Sequence, residues 1–192
     1  MKTIILASSS PRRKEILEKT GLPFIIDPSN SDEDMTQNLE PKDLAKALSL
    51  AKAKDVAKRH KNAIVIGADS IITLNGKVLG KPHTEERAIE MLTELSGSIH
   101  SAITGYTIID TDSGKIVSDA VETKIYFRKL TQDEIKNYVA TGKPLDKAGA
   151  YAIQGKGALF VEKIEGDYYN IMGLPLTAVV EKLKEFKLQK DY

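Results

Sequence analysis

Three stretches of the chain gather residue types suited to handling phosphate and water. The first is LASSSPRRKEIL, residues 6–17. A short apolar run stops at serines, and a proline and two arginines then open a helical pattern. The start of a helix presents free N–H groups and a partial positive charge, so after a strand it is a ready anion site. Ser8 and Ser10 add hydroxyls, and Arg12 and Arg13 add guanidinium forks matched to phosphate oxygens. The plain alternative is an N-cap followed by two solvated arginines, and the residues alone leave the two readings level. A DNA clamp is disfavoured, because such motifs sit in repeated basic tails.

The second stretch is AIVIGADSIITLNGKVLGKP, residues 63–82. It reads as a buried strand ending at Gly67-Ala68, with Asp69 just beyond. A carboxylate at the carboxyl end of such a strand can hold a divalent cation or take a proton from water. A turn aspartate is the commoner alternative. Ser70 places a hydroxyl beside it, and Lys81 returns a cation to the neighbourhood. Glu33 lies in an acidic loop with Asp32 and Asp34. Acidic loops are usually just solvated, but a hard cation needs only one or two carboxylates plus phosphate oxygens, so Glu33 is a candidate partner of Asp69. Lys52 rides the edge of an apolar helix face, either pointing into a cleft or snorkelling to water.

The third stretch is LDKAGAYAIQGKGALFVEKIEGDYYNIMGLPL, residues 145–176. Its small residues allow close backbone approach. Lys147 brings charge, and the Gln154 amide can read a nucleobase edge. The histidines, His60, His83 and His100, lack metal-ligand spacing and each reads as a surface residue. Together the stretches outline a nucleotide site and leave kinase, nucleotidyltransferase and hydrolase open. The chain has no GxxxxGK[ST] and no GxGxxG opening a helix, which lowers the first and also dinucleotide binding.

These residues need elements to hold them. The spacing predicts helices from Pro11, behind Ser10 as candidate N-cap, to just before Gly21, from Pro41 towards His60, over Thr84–Leu95, after the Thr131–Glu134 capping box, and over Pro175–Phe186. Strands are expected at 4–7, 63–68, 101–110, 115–127, 158–164 and 168–172, with Asn75-Gly76 joining a hairpin. Alternating helices and strands with hairpins mean an α/β fold on a mixed sheet. The chain of 192 residues, with 41% hydrophobic content, is enough for one large domain or two small lobes, and one domain spanning 1–192 is expected. A formal net charge of +1 argues against coating nucleic acid, and no nucleic-acid partner is expected. Absence of cysteine excludes a thiol nucleophile and disulfides and fits a reducing compartment. No apolar run approaches the ~20 residues that span a bilayer, so no membrane partner is expected. The apolar IILA segment is too short for a secretory leader, and a cytoplasmic location is the expectation.

LASSSPRRKEIL, VIGADS and the long stretch from LDKAG to GLPL, in this order, resemble the motifs of the Maf family of nucleoside triphosphate pyrophosphatases over nearly the whole chain. The resemblance implies an elongated, mixed-sheet, ITPase-like α/β fold with two lobes around a central cleft, often as a homodimer. It implies hydrolysis of a nucleoside triphosphate to the monophosphate and pyrophosphate with a divalent cation, Mg²⁺ or Mn²⁺. By matching position, Asp69 is the catalytic carboxylate and a metal ligand, and Glu33 is a further metal ligand. Ser8, Arg13, Lys52 and Lys81 match positions around the phosphates. Arg12, Ser70 and Gln154 match positions that set base choice and resemble the dTTP/UTP branch. The branch acting on 7-methyl-GTP carries tryptophan, glutamine and glutamate there. Ser70 departs from the usual threonine, keeping the hydroxyl without the methyl, and Ala152 replaces a more usual glycine. The competing class is a non-enzymatic nucleotide-binding regulator of cell division.

Overall fold

A computed structural model describes residues 2–32 and 34–186. Seven strands form one mixed sheet: β1 (Thr3–Leu6), β2 (Phe24–Ile26), β3 (Ala63–Leu74), β4 (Lys77–Leu79), β5 (Ile99–Asp110), β6 (Ile116–Phe127) and β7 (Val161–Glu165). The order across the sheet is β2-β1-β3-β5-β6-β7, with β4 paired to the far end of β3. β1 runs parallel to β2 and β3, and every other pairing is antiparallel. The helices are α1 (Pro11–Glu18), α2 (Pro41–Ala57), α3 (Glu85–Leu95), α4 (Gln132–Val139), α5 (Tyr168–Met172) and α6 (Leu176–Leu183).

The α/β class and the mixed sheet match the expectation, as do the hairpin and the capping box. Asn75 and Gly76 both adopt positive φ, 50° and 77°, between Leu74 and its partner Lys77. That is the turn that matches strand twist. Thr131 accepts from the Glu134 amide while Glu134 reaches back to the Thr131 amide.

The structure corrects four readings. Asp69 does not follow a strand; it lies within β3, which continues for twelve residues to Leu74. The polar Asp69 and Ser70 interrupt the apolar run in the sequence, but both stay on the ladder with β5. Residues 168–172 form a helix rather than a strand, because Asp167 caps it by accepting from the Tyr169 amide at 2.7 Å. Ser10 sits at the N-cap of α1, but its side chain makes no cap bond. His100 is a core residue, 2% exposed, with Nε2 2.7 Å from the Tyr151 hydroxyl. Its apolar surroundings push its pKa down to about 4, so the ring is neutral.

Helix α2 covers one face of the sheet. Two glycines let it approach the strands closely. A Cβ on Gly67 would lie 2.6 Å from the Ser49 carbonyl oxygen, and one on Gly105 would lie 2.0 Å from that of Ala45. The opposite face carries two apolar clusters. One gathers α1, α5 and α6 over the first half of β3, around Leu6, Ile66 and Tyr106. The other gathers α3, α4 and the 148–160 segment around Ile72, Leu92 and Phe127.

Candidate active site

The path to a site starts at a gap in the sheet. On one side of β3, pairing with β1 ends at Leu6 and Ile66, and pairing with β4 resumes only at Ile72 and Leu79. Between these registers, residues 67–71 have no strand partner on that side among the described residues. A cleft occupies the gap, with an inner cavity of about 230 Å³ and an outer basin of about 700 Å³ that share Arg12, Arg13, Lys52 and Lys81 as walls. The inner cavity lies between the two apolar clusters, touching Met172 of one and Tyr151 of the other.

The gap lets opposite faces of β3 serve one cavity. Alternation sends Asp69 towards α2 and Ser70 the other way, yet both line the inner cavity. Asp69 is 5% exposed, and the Lys52 ammonium of α2 forms an ion pair with its Oδ1. The Gly67 contact brings α2 close enough for that pairing. Lys52 therefore serves a carboxylate as well as facing the cleft.

Ser70 Oγ lies 2.8 Å from Thr104 Oγ1 and 3.4 Å from Arg13 Nη2. Arg13 also donates from Nε to the Gly173 carbonyl at 2.8 Å and from Nη1 to Ser8 Oγ at 3.2 Å. Ser8 in turn accepts from the Ser10 amide at 3.2 Å. The SSSPRR turn thus aims Arg13 inward by protein contacts, while Arg12 lines both parts of the cleft. Gln154 lines the outer basin and a side recess that also holds Lys143 and Lys156.

Of the residues singled out in the sequence, Ser8, Arg12, Arg13, Lys52, Asp69, Ser70, Lys81 and Gln154 all border this one cleft. Glu33 lies outside the described residues. Among the described residues, no group of three or more His, Cys, Asp or Glu side chains forms a metal cluster. Asp69 still fits a hard cation, since such an ion takes one or two carboxylates and draws its other ligands from phosphate and water.

Sequence reasoning missed three contributors. Asp146 lines both parts of the cleft. Lys147, at 2.6 Å, holds the Asp146 carboxyl below its usual range, and the charge of Arg12 adds to that pull. Tyr151 walls the inner cavity, placed there by Gly149 and Ala150, both at positive φ of 69° and 59°. A left-handed alanine is a strained conformation held by its surroundings. Thr104 lies under Ser70 and donates to the Asn170 carbonyl at 2.8 Å. The Asp-Lys pair could have been noticed in LDKAG, but nothing in the sequence pairs Thr104 with Ser70.

A family model described as "Maf-like protein" matches residues 3–186. The chain belongs to the Maf family. It is 49% identical over 184 residues to the dTTP/UTP pyrophosphatase of Alkaliphilus metalliredigens, covering 95% of each chain. It is 49% identical over 186 residues to that of Moorella thermoacetica, covering 97% of this Maf chain and 96% of the relative. The dTTP/UTP pyrophosphatase of Bacillus cereus is 48% identical over 188 residues, covering 98% and 92%. Among solved structures, the Ham1 protein of Staphylococcus aureus aligns with a TM-score of 0.48 and 18% identity over 97% of this chain and 100% of that one. Among the described residues of this Maf chain, no helix is long and apolar enough to cross a membrane.

Proposed function

We propose that this chain is a nucleoside triphosphate pyrophosphatase that converts dTTP and UTP to the monophosphate and pyrophosphate, aided by Mg²⁺ or Mn²⁺, in the cytoplasm and as a homodimer. The observation that carries the chemistry is a recessed carboxylate, Asp69, in a cleft walled by Arg12, Arg13, Lys52 and Lys81. The names of the 48–49% identical relatives supply the nucleotide.

In this reading the triphosphate lies along the cations. Asp69 accepts a proton from a water molecule whose oxygen attacks the α-phosphorus. The bond from that phosphorus to the α–β bridging oxygen breaks, and pyrophosphate departs with the electron pair. General-base action of this kind contributes about 10²–10⁴-fold. Arg13 and Lys81 balance negative charge on the phosphates. A divalent cation held by Asp69, Glu33 and the phosphates would add charge neutralisation to the same group. Arg12 and Gln154 read the base: Gln154 can both donate to and accept from the O4/N3–H edge of uracil or thymine, and Arg12 repels a cationic methylated guanine.

The test is product analysis on a panel of dTTP, UTP, CTP and 7-methyl-GTP, with Mg²⁺, with Mn²⁺ and with a chelator. Release of pyrophosphate from dTTP and UTP well ahead of 7-methyl-GTP, abolished by the chelator, is the expected result. Preference for 7-methyl-GTP would transfer the chain to the sister activity, and silence across the panel would favour a non-enzymatic regulator of division.

A further inference from the structure

We infer that Thr104 is a positioning residue that fixes the direction of the Ser70 hydroxyl, so that Ser70 meets Arg13 and a bound nucleotide as a hydrogen-bond acceptor. The inference rests on the pyrophosphatase reading for its assay and on donor counting for its logic. Thr104 is fully buried, and its Oγ1 lies 2.8 Å from the Asn170 carbonyl oxygen. A carbonyl cannot donate, so the single Thr104 proton is spent there. The 2.8 Å contact between Thr104 and Ser70 must then carry the Ser70 proton. What remains on Ser70 Oγ is lone pairs, one of which faces Arg13 Nη2 at 3.4 Å. The chain of donation runs one way, from Arg13 to Ser70 to Thr104 to the Asn170 carbonyl.

The far end of this chain is anchored in the core. Asn170 is fully buried on α5 and donates from Nδ2 to the Ala102 carbonyl and to Thr123 Oγ1, both at 3.0 Å. Three residues on, the Gly173 carbonyl accepts from Arg13 Nε. One short segment therefore orients Arg13 twice, directly through Gly173 and indirectly through Thr104 and Ser70. A serine lacks the methyl that would restrict rotation about its Cα–Cβ bond, so at position 70 the Thr104 hydroxyl does that orienting work.

The experiment is steady-state hydrolysis of UTP by Thr104→Val, Thr104→Ser, Ser70→Ala and the Ser70→Ala, Thr104→Val double variant, each with a thermal melt. Valine keeps the shape and removes the acceptor, and kcat/KM should fall about tenfold, the scale of one hydrogen bond in a charged chain. Thr104→Ser should restore activity to within about twofold, and in a Ser70→Ala background the valine change should cost about twofold or less. Unchanged kcat/KM in Thr104→Val, failure of serine to rescue, or a full penalty persisting without Ser70 would each overturn the inference. If Thr104→Val does not fold, the wild-type protein decides by NMR: a Ser70 hydroxyl proton protected from exchange supports the direction, and one exchanging freely with water overturns it. Wild-type protein that hydrolyses no nucleotide would defeat the function itself and this inference with it, whereas active wild-type with indifferent variants defeats the inference alone.

Discussion

Asp69 and Lys52 form an ion pair across the junction of sheet and helix, and both side chains are largely buried, at 7% and 13% exposure. The carboxylate comes from mid-β3 and the ammonium from α2, so the reactive centre depends on how those two elements seat. Asp69→Asn keeps the shape and removes the charge. Turnover of UTP should drop by about 10²–10⁴-fold in a protein that still folds, with a lowered melting temperature because the buried Lys52 ammonium loses this counter-charge. Turnover close to wild type in that folded variant would remove Asp69 from the chemistry.

Gly105→Ala tests the seating itself. The added Cβ would lie 2.0 Å from the Ala45 carbonyl oxygen, which is backbone and cannot swing aside. The helix must lift, costing about 3 kcal/mol or more. Urea denaturation should show the loss, and kcat should fall with it because Lys52 moves away from Asp69. A stable and active Gly105→Ala protein would contradict the close approach of α2.

Arg13 is held by Ser8, Ser70 and Gly173 rather than left in solvent. Arg13→Ala should lower kcat/KM strongly for every nucleotide alike, because phosphate charge is common to all. Arg13→Lys should recover only part, since an ammonium cannot reach several fixed acceptors as a fork does. Equal activity of both variants with wild type would return Arg13 to a helix-start role.

Gln154→Glu probes base choice. A carboxylate has lost the donor, so the ranking of UTP and dTTP over other nucleotides should weaken. A nucleotide ranking that stays the same would leave selection to Ser70 and the shape of the inner cavity.

His100 gives a pH signature of stability. Its folded pKa of about 4 lies below the ordinary value of 6.5. Between those values the unfolded chain binds the proton and the folded protein does not. Stability is therefore full above pH 6.5 and declines as pH falls towards 4, by something on the order of 3 kcal/mol. His100→Phe should flatten that part of the curve of melting temperature against pH. An identical slope in the variant would place the titration elsewhere.

Much of this was legible in the sequence because local chemistry dominates it. Proline at helix starts, the Thr131–Glu134 box and Asn75-Gly76 act within a few residues, and the elements they mark are present. Asp69 was found as a residue but misplaced at a strand end, because polar side chains in β3 look like a stop unless the gap beside them is known. Residues 168–172 misled for a related reason: aromatic content suggests a strand, whereas the Asp167 cap and the packing of Asn170 against Thr123 impose a helix. Thr104 was invisible because its role depends on a partner 34 residues away in the chain, and Tyr151 because the left-handed backbone at Gly149 and Ala150 that places it has no signature in residue type at Ala150.

The gap beside β3 also bears on how the protein avoids its own kind. An unpaired strand edge ordinarily invites a second strand, and through it aggregation. Here the open stretch is confined to residues 67–71, with β1 ending on one side and β4 beginning on the other. A neighbouring chain would have to thread between two existing strands to pair with it. The opening is therefore long enough for a small molecule and too short and recessed for a strand, which lets an interior carboxylate meet water without giving the sheet a sticky edge.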